Sequence, residues 1–211
     1  MKTFLTAALL LAGSCLVQAQ QAYTSAMLKN IDAIYHAKTI DEYQVSVNAF
    51  ERIAVAEKTK YEPYYYVAFG NIMMAVTEPV ATRKDNYLDI AAKAVSKAND
   101  LQPNDSEVVT LQGFVHMIRV TVDPASRGQE YSGKAFNAFD KAVSLNPENP
   151  RALAMLGQMQ LGTAKFFGSD PSEGCATTSK ALEKFDTFKP ANSLAPRWGK
   201  AMAEGVKANC K

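Results

Sequence analysis

Histidines, cysteines and paired carboxylates are the side chains that most often carry chemistry, and this chain uses them sparingly. It has two histidines, His36 and His116, and no His-x-x-x-His or Glu-x-x-His pair with the spacing a metal site needs. His116 follows Gly113 by three positions and reads as a packed helix histidine. No glycine-rich phosphate loop and no Gly-x-Ser-x-Gly elbow occurs. Asp170 and Glu173 stand near each other, but Asp170 to Ser172 reads more naturally as the cap of a following helix. None of the three cysteines, Cys15, Cys175 and Cys210, lies in a Cys-x-x-Cys pair, so no dithiol redox motif is present. The residues therefore motivate no catalytic group, metal ligand or cofactor site. They point away from an enzyme and toward recognition.

The first 19 residues read as an export leader. Lys2 supplies the positive start, residues 4–11 the apolar run, and Val17-Gln18-Ala19 a small-x-small cleavage site. The run is shorter than the roughly 20 residues of a membrane-spanning helix. Leu11-Ala12-Gly13-Ser14-Cys15 leaves a rival reading in which Cys15 is acylated, although Ala12 stands where such a signal prefers leucine. No other run approaches spanning length, so residues 20–211 are expected as one domain, periplasmic or secreted. The leader holds one of the 23 basic residues and none of the 21 acidic ones, leaving a net charge near +1. Such a balance gives no basis for a nucleic-acid surface or for binding an acidic membrane.

The elements that would position a recognition surface follow one pattern. Gly70, Gly113, Gly157 and Gly199 recur at steps of 43, 44 and 42 residues. Each follows a turn, marked by Tyr61, Pro103, Pro147 or Pro190, by nine or ten positions. Upstream of each turn lies a helical pattern of small and bulky residues: Ala49/Ile53/Ala56, Ala91/Val95/Ala98, Ala135/Phe139/Ala142 and Thr178/Leu182/Phe185. A fixed period of this size marks stacked repeats, and no stretch alternates apolar and polar residues over strand length. The spacing predicts helices over 23–37, 42–58 (capped by Asp41), 63–77, 87–101, 106–120, 131–145, 151–165, 172–188 and 196–209. In this scheme each glycine admits a close neighbouring helix, while Phe69, Leu111, Leu156 and Trp198 fill the space between pairs. Residues 78–86 and 123–130 match through Pro79/Pro124, Arg83/Arg127 and Tyr87/Tyr131. They read either as surface loops aligned along one side or as spacers that lengthen the helices.

Gly113 with Ala135, Phe139, Ala142 and Pro147, and Gly70 with Ala91, Val95, Ala98 and Pro103, resemble the signature positions of the tetratricopeptide repeat (TPR). The departure is an insertion of about nine or ten residues in each repeat. The tail from Phe166-Phe167-Gly168 to Pro196-Arg197-Trp198-Gly199 is similar to secreted TPR-like proteins of Bacteroidetes. The resemblance implies an all-α, TPR-like α-α superhelix of about nine helices with inserted inter-helix loops. It also implies a concave face built from the glycine-bearing helices, which selects Tyr64, Asn71, Glu107, Thr110, Phe114, Arg151 and Gln158 as partner-binding residues. With Cys15 removed, Cys175 and Cys210 form an even pair in an oxidising compartment. They would open and close two antiparallel helices, so a disulfide is expected, with two free thiols as the alternative. The expected function is a scaffold that binds a protein or peptide on the concave face. The other expectation is a small-molecule or glycan binder that uses the tyrosines at 64–66.

Overall fold

The computed structural model describes the backbone of residues 2–210 and the side chains of residues 18–210. Apart from Gln18 and Ala19, the expected leader and Cys15 lie outside the described side chains. Among the described residues there are nine helices and no strand. They are α1 (Lys2–His36), α2 (Ile40–Ala56), α3 (Glu62–Thr77), α4 (Ala81–Leu101), α5 (Ser106–Val120), α6 (Pro124–Leu145), α7 (Pro150–Phe167), α8 (Ser172–Thr187) and α9 (Lys200–Lys207). None is long and apolar enough, among the described residues, to cross a membrane.

Local chemistry accounts for the helix starts. Proline stands in the first turn of α3, α6 and α7, where its missing N–H costs nothing. Asp105 accepts from the N–H groups of Glu107 and Val108, and Asn149 accepts from those of Arg151 and Ala152. The cap of α2 is Thr39 rather than the expected Asp41. Thr39 Oγ1 accepts from Glu42 N at 3.3 Å, while the Glu42 carboxylate accepts from Thr39 N at 3.0 Å and Lys38 N at 2.7 Å. This reciprocal pair satisfies more orphan donors than Asp41 could.

Each helix packs on the next, and the odd-numbered helices α1, α3, α5, α7 and α9 also touch one another in order. They form the inner layer of a superhelix, with the even-numbered helices outside. The layering shows in burial. Helix α3 hides most of its circumference, whereas α4 hides a stripe of Leu88, Ala91, Ala94, Val95 and Ala98. One continuous core runs from Tyr23 to Ala203.

Three of the four periodic glycines sit at helix contacts. A Cβ on Gly113 would strike the Phe139 ring. One on Gly157 would lie 2.5 Å from Thr178 Oγ1 and 2.9 Å from Thr178 N. Gly70 instead faces the preceding pair, 2.5 Å from Val47 Cγ2. Gly174, outside the periodic pattern, is the counterpart of Gly157: its Cβ would lie 2.7 Å from Leu161 N. Two glycines thus let α7 and α8 meet nearly backbone to backbone.

The expected helix at 196–209 is not formed as such. Helix α9 begins only at Lys200, and Gly199 is its N-cap with φ of 109° rather than a helical packing glycine. Pro190 and Pro196 resist helix in this stretch, so residues 188–199 run as an irregular strap. Of the two readings of the repeated insertion, the structure takes helix extension. Helices α4 and α6 start at Ala81 and Pro124, leaving only short turns before them. Cys175, in the first turn of α8, forms a disulfide with Cys210 (S–S 2.07 Å, Cα–Cα 5.7 Å).

Candidate functional site

The concave face is occupied by the chain itself. The strap crosses the inner helices and plants two buried apolar side chains, Leu194 and Trp198, on them. The Trp198 ring stacks between Phe69 (centroids 5.4 Å apart) and Phe114 (5.7 Å). Its Nε1–H donates to Tyr65 Oη at 2.9 Å. Tyr66 Oη–H donates to the Leu194 carbonyl at 2.6 Å, and Arg197 N–H donates to Tyr35 Oη at 3.1 Å. Burial pushes the Tyr65 and Tyr66 hydroxyls far above the ordinary phenol range, so both act as neutral hydrogen-bonding groups. At the start of the strap, Phe188 receives the Arg151 guanidinium over its ring at 4.6 Å.

The expected partner-binding residues divide under this arrangement. Arg151, 1% exposed, pairs with Glu107 through Nε at 2.8 Å and Nη2 at 2.6 Å. Burial opposes the charge on Arg151, but the hydrogen bonds and charge of Glu107 reverse that and hold its pKa above the ordinary value. The same burial lifts the Glu107 carboxyl above its usual range against the pull of Arg151. Phe114 lies under Trp198. Asn71 and Thr110 are buried and donate to their own helices, at the Val67 and Ser106 carbonyls. Tyr64 is half-buried against the core. Gln158 lies apart, on a groove of about 590 Å³ that also takes in Leu161, Ala164, Pro171 and Val206. The structure therefore brings Glu107, Phe114 and Arg151 together beneath the strap, while Gln158 lines a separate groove and Tyr64 packs on the core.

A second groove, of about 540 Å³, opens where the strap meets the first three helices. Tyr35, Tyr43, Phe69, Met73, Trp198 and Met202 supply its apolar surface. Phe69 and Trp198 are buried and form the floor, while Tyr35, Met73 and Met202 are half-buried on the sides. Arg197, Lys200 and His36 add nitrogen groups at the rim, and Asp32 adds one carboxylate. The Arg197 guanidinium stands over the Tyr35 ring at 5.4 Å. His36 Nδ1 is tied to the Asp32 carbonyl at 2.8 Å, which leaves Nε2 uncommitted to its own helix. The lining is mostly apolar with a few polar groups at the rim.

Repeat position could not have found this groove, because half of its wall comes from the strap and α9. The signal lay in composition: the aromatic and basic run Pro196-Arg197-Trp198 beside an unusual density of tyrosines in α3. The other histidine, His116, packs half-buried at 6.0 Å from the Tyr131 ring, and burial lowers its pKa. Among the described residues, no three His, Cys, Asp or Glu side chains converge as metal ligands.

No protein-family model matches the chain, and no curated protein matches it. Solved structures do. The HusA haemophore from Porphyromonas gingivalis superposes with a TM-score of 0.80 at 26% identity, covering 90% of this chain and 92% of that one. A thermophilic TPR protein from Thermus thermophilus superposes with a TM-score of 0.60 at 14% identity, covering 78% and 75%, a likeness of fold alone. The chain thus has an all-α, TPR-like helical-repeat fold, and it resembles a Bacteroidetes protein built the same way.

Proposed function

We propose that this chain is an exported, non-catalytic carrier of a flat, amphipathic, anionic small molecule of the haem class, held in the aromatic groove. The observation that carries this reading is the groove of about 540 Å³ between α1, α3 and the strap. A planar macrocycle needs apolar surface, which the half-buried Tyr35, Met73 and Met202 offer over a floor of Tyr43, Phe69 and Trp198. Its acidic side chains need a cation at the mouth, where Arg197 stands, with Lys200 beside it paired to Asp186. Similarity to a haemophore over nine-tenths of the chain supports the same class of ligand. Export agrees with the leader expected over residues 1–19 and with the disulfide, which persists in an oxidising compartment.

The test is a haemin titration of the oxidised chain, followed by haem absorbance and by the fluorescence of the chain's single tryptophan, Trp198. We expect saturable binding that weakens about tenfold or more in Met73→Glu, which places a charge on the apolar wall, and in Arg197→Glu. Binding that does not saturate, or that ignores both substitutions, overturns the reading.

A second reading keeps the concave face as a protein- or peptide-binding surface centred on Tyr64, Asn71, Glu107, Thr110, Phe114, Arg151 and Gln158. Its support is that this face already holds an irregular segment, residues 188–199, through side-chain and backbone contacts as it would a peptide. Any external partner must displace that segment.

A further inference from the structure

We propose that the Cys175–Cys210 disulfide is a redox latch on the strap. Oxidised, it keeps residues 188–199 across the concave face and completes the aromatic groove. Reduced by a dithiol, it lets the strap lift. The effect on ligand rests on the groove being the binding site, whereas the movement of the strap does not.

The strap is held by side chains rather than by regular structure of its own. It forms no helix, and its anchors are side-chain contacts: the Tyr66 hydroxyl to Leu194, the Tyr35 hydroxyl to Arg197, and the Trp198 stack. Its far end is held by α9, which has only eight residues. A helix that short is far below the roughly 12–15 residues at which an isolated helix becomes even marginal in water. Helix α9 buries a single residue fully, Ala203, packs the half-buried Met202 on the core and touches α7, and its polar ties are the ion pair Lys200–Asp186 and the bond from Lys207 to Ser179. The covalent link at Cys210, just beyond α9, fixes that helix to α8. Residues 197–202, carried by the strap and α9, form half of the groove lining, so lifting the strap opens the site. The same motion uncovers Phe114 and the Arg151–Glu107 pair.

The chemistry balances with a dithiol as the two-electron donor. Its thiolate attacks Cys210 Sγ, the S–S bond breaks, and Cys175 leaves as a thiolate that takes a proton. The donor's second thiol then displaces Cys210 from the mixed disulfide, leaving two protein thiols and an oxidised donor. Cys175 lies in the first turn of α8, where the helix N-terminus favours a thiolate leaving group. Both cysteines are half-buried rather than sealed, so a dithiol can reach them.

The sequence separation of 35 puts the chain-entropy effect near 3–4 kcal/mol. Reduction should therefore raise strap opening by about 10²-fold or more. Hydrogen exchange of the oxidised chain, the chain treated with dithiothreitol, and the double variant Cys175→Ser/Cys210→Ser reads this directly. The expected result is faster exchange across 188–209 by about that factor, including the Arg197 amide, with α3, α5 and α6 unchanged. An unchanged strap overturns the latch. So does a uniform rise in every helix, which would make the disulfide a general staple.

Haemin titration of the double variant, which needs no reductant, reads the consequence for the site. Affinity about tenfold below that of the oxidised chain supports the latch acting on the groove. Equal affinity with a freed strap overturns that link. Failure of haemin to bind the oxidised chain removes the proposed ligand, while the exchange experiment still decides the latch.

Discussion

Replacing Trp198 tests how firmly the inner face depends on the strap. The indole is 6% exposed, and a large aromatic side chain buries roughly 150–250 Å². At about 25 cal/mol per Å² that is roughly 4–6 kcal/mol, an upper figure because unfolded chains are partly compact. Truncations of buried Trp to Ala cost about 3–5 kcal/mol. The indole N–H also satisfies Tyr65 Oη, and leaving a buried phenol without that partner adds about 1–3 kcal/mol. Trp198→Ala should thus lose roughly 4–6 kcal/mol. For a chain of this size that lowers Tm by about 8–24 °C. Trp198→Phe keeps a ring between Phe69 and Phe114 and gives up only the N–H bond, so it should lose roughly 1–2 kcal/mol, or about 3–6 °C. Thermal melts of the oxidised proteins, followed by circular dichroism at the helical band, read both variants. An alanine variant melting within about 3 °C of the parent would refute the reasoning, since the strap would then rest on the surface without supporting it. A phenylalanine variant as damaged as the alanine one would also refute it, by shifting the weight from stacking to one hydrogen bond.

Two further outcomes follow from the same geometry. Gly174→Ala places a Cβ 2.7 Å from the backbone N of Leu161, which cannot yield as a side chain can, so α7 and α8 must part at a cost of about 1–3 kcal/mol by chemical denaturation. Gly205→Ala, in the exposed interior of α9 with nothing near its Cβ, should instead stabilise by about 0.4–1 kcal/mol, and two variants moving together would contradict the contact. The Glu42 carboxylate is held below its ordinary value of 4.5 chiefly by the N–H groups of Lys38 and Thr39. A depressed folded pKa contributes stability that is present above the unfolded value and is lost as pH falls through the folded one. The protection factors of amides at the start of α2, with the intrinsic pH dependence of exchange divided out, should therefore fall below about pH 4.5, and this fall should be absent in Glu42→Gln.

The layered helical fold was legible because its signals are local and repeated. Gly113 and Gly157 mark where a partner helix comes close, and the prolines at 103 and 147 end helices wherever the chain turns. Position within the repeat also identified the inner helices, α5 and α7, that carry Glu107, Phe114 and Arg151. The use of that face was not legible. Trp198 and Gly199 stand at the expected spacing, yet the prolines at 190 and 196 turn this unit into a strap, and periodicity alone cannot register a unit that fills another's groove. Gly174 was missed because it belongs to α8 rather than to the repeating position, although it approaches α7 as closely as Gly157 approaches α8. The insertions at 78–86 and 123–130 contain polar residues and proline, which suit a loop. Pro79 falls before α4, and Pro124 falls in the first turn of α6, where it starts a helix instead of breaking one.

A superhelix of stacked hairpins is ordinarily one-dimensional: each unit answers only to its neighbours, and either end can fray while the middle stands. Here the Arg197 amide reaches the Tyr35 hydroxyl across 162 positions of sequence. That bond ties the last turn of the array to its first, like a hoop drawn round staves. Peeling at one terminus then strains the other, so loss of structure becomes collective rather than piecemeal. The closing of the hoop also comes late in folding, because so distant a pairing must wait until the intervening helices have brought its two halves together.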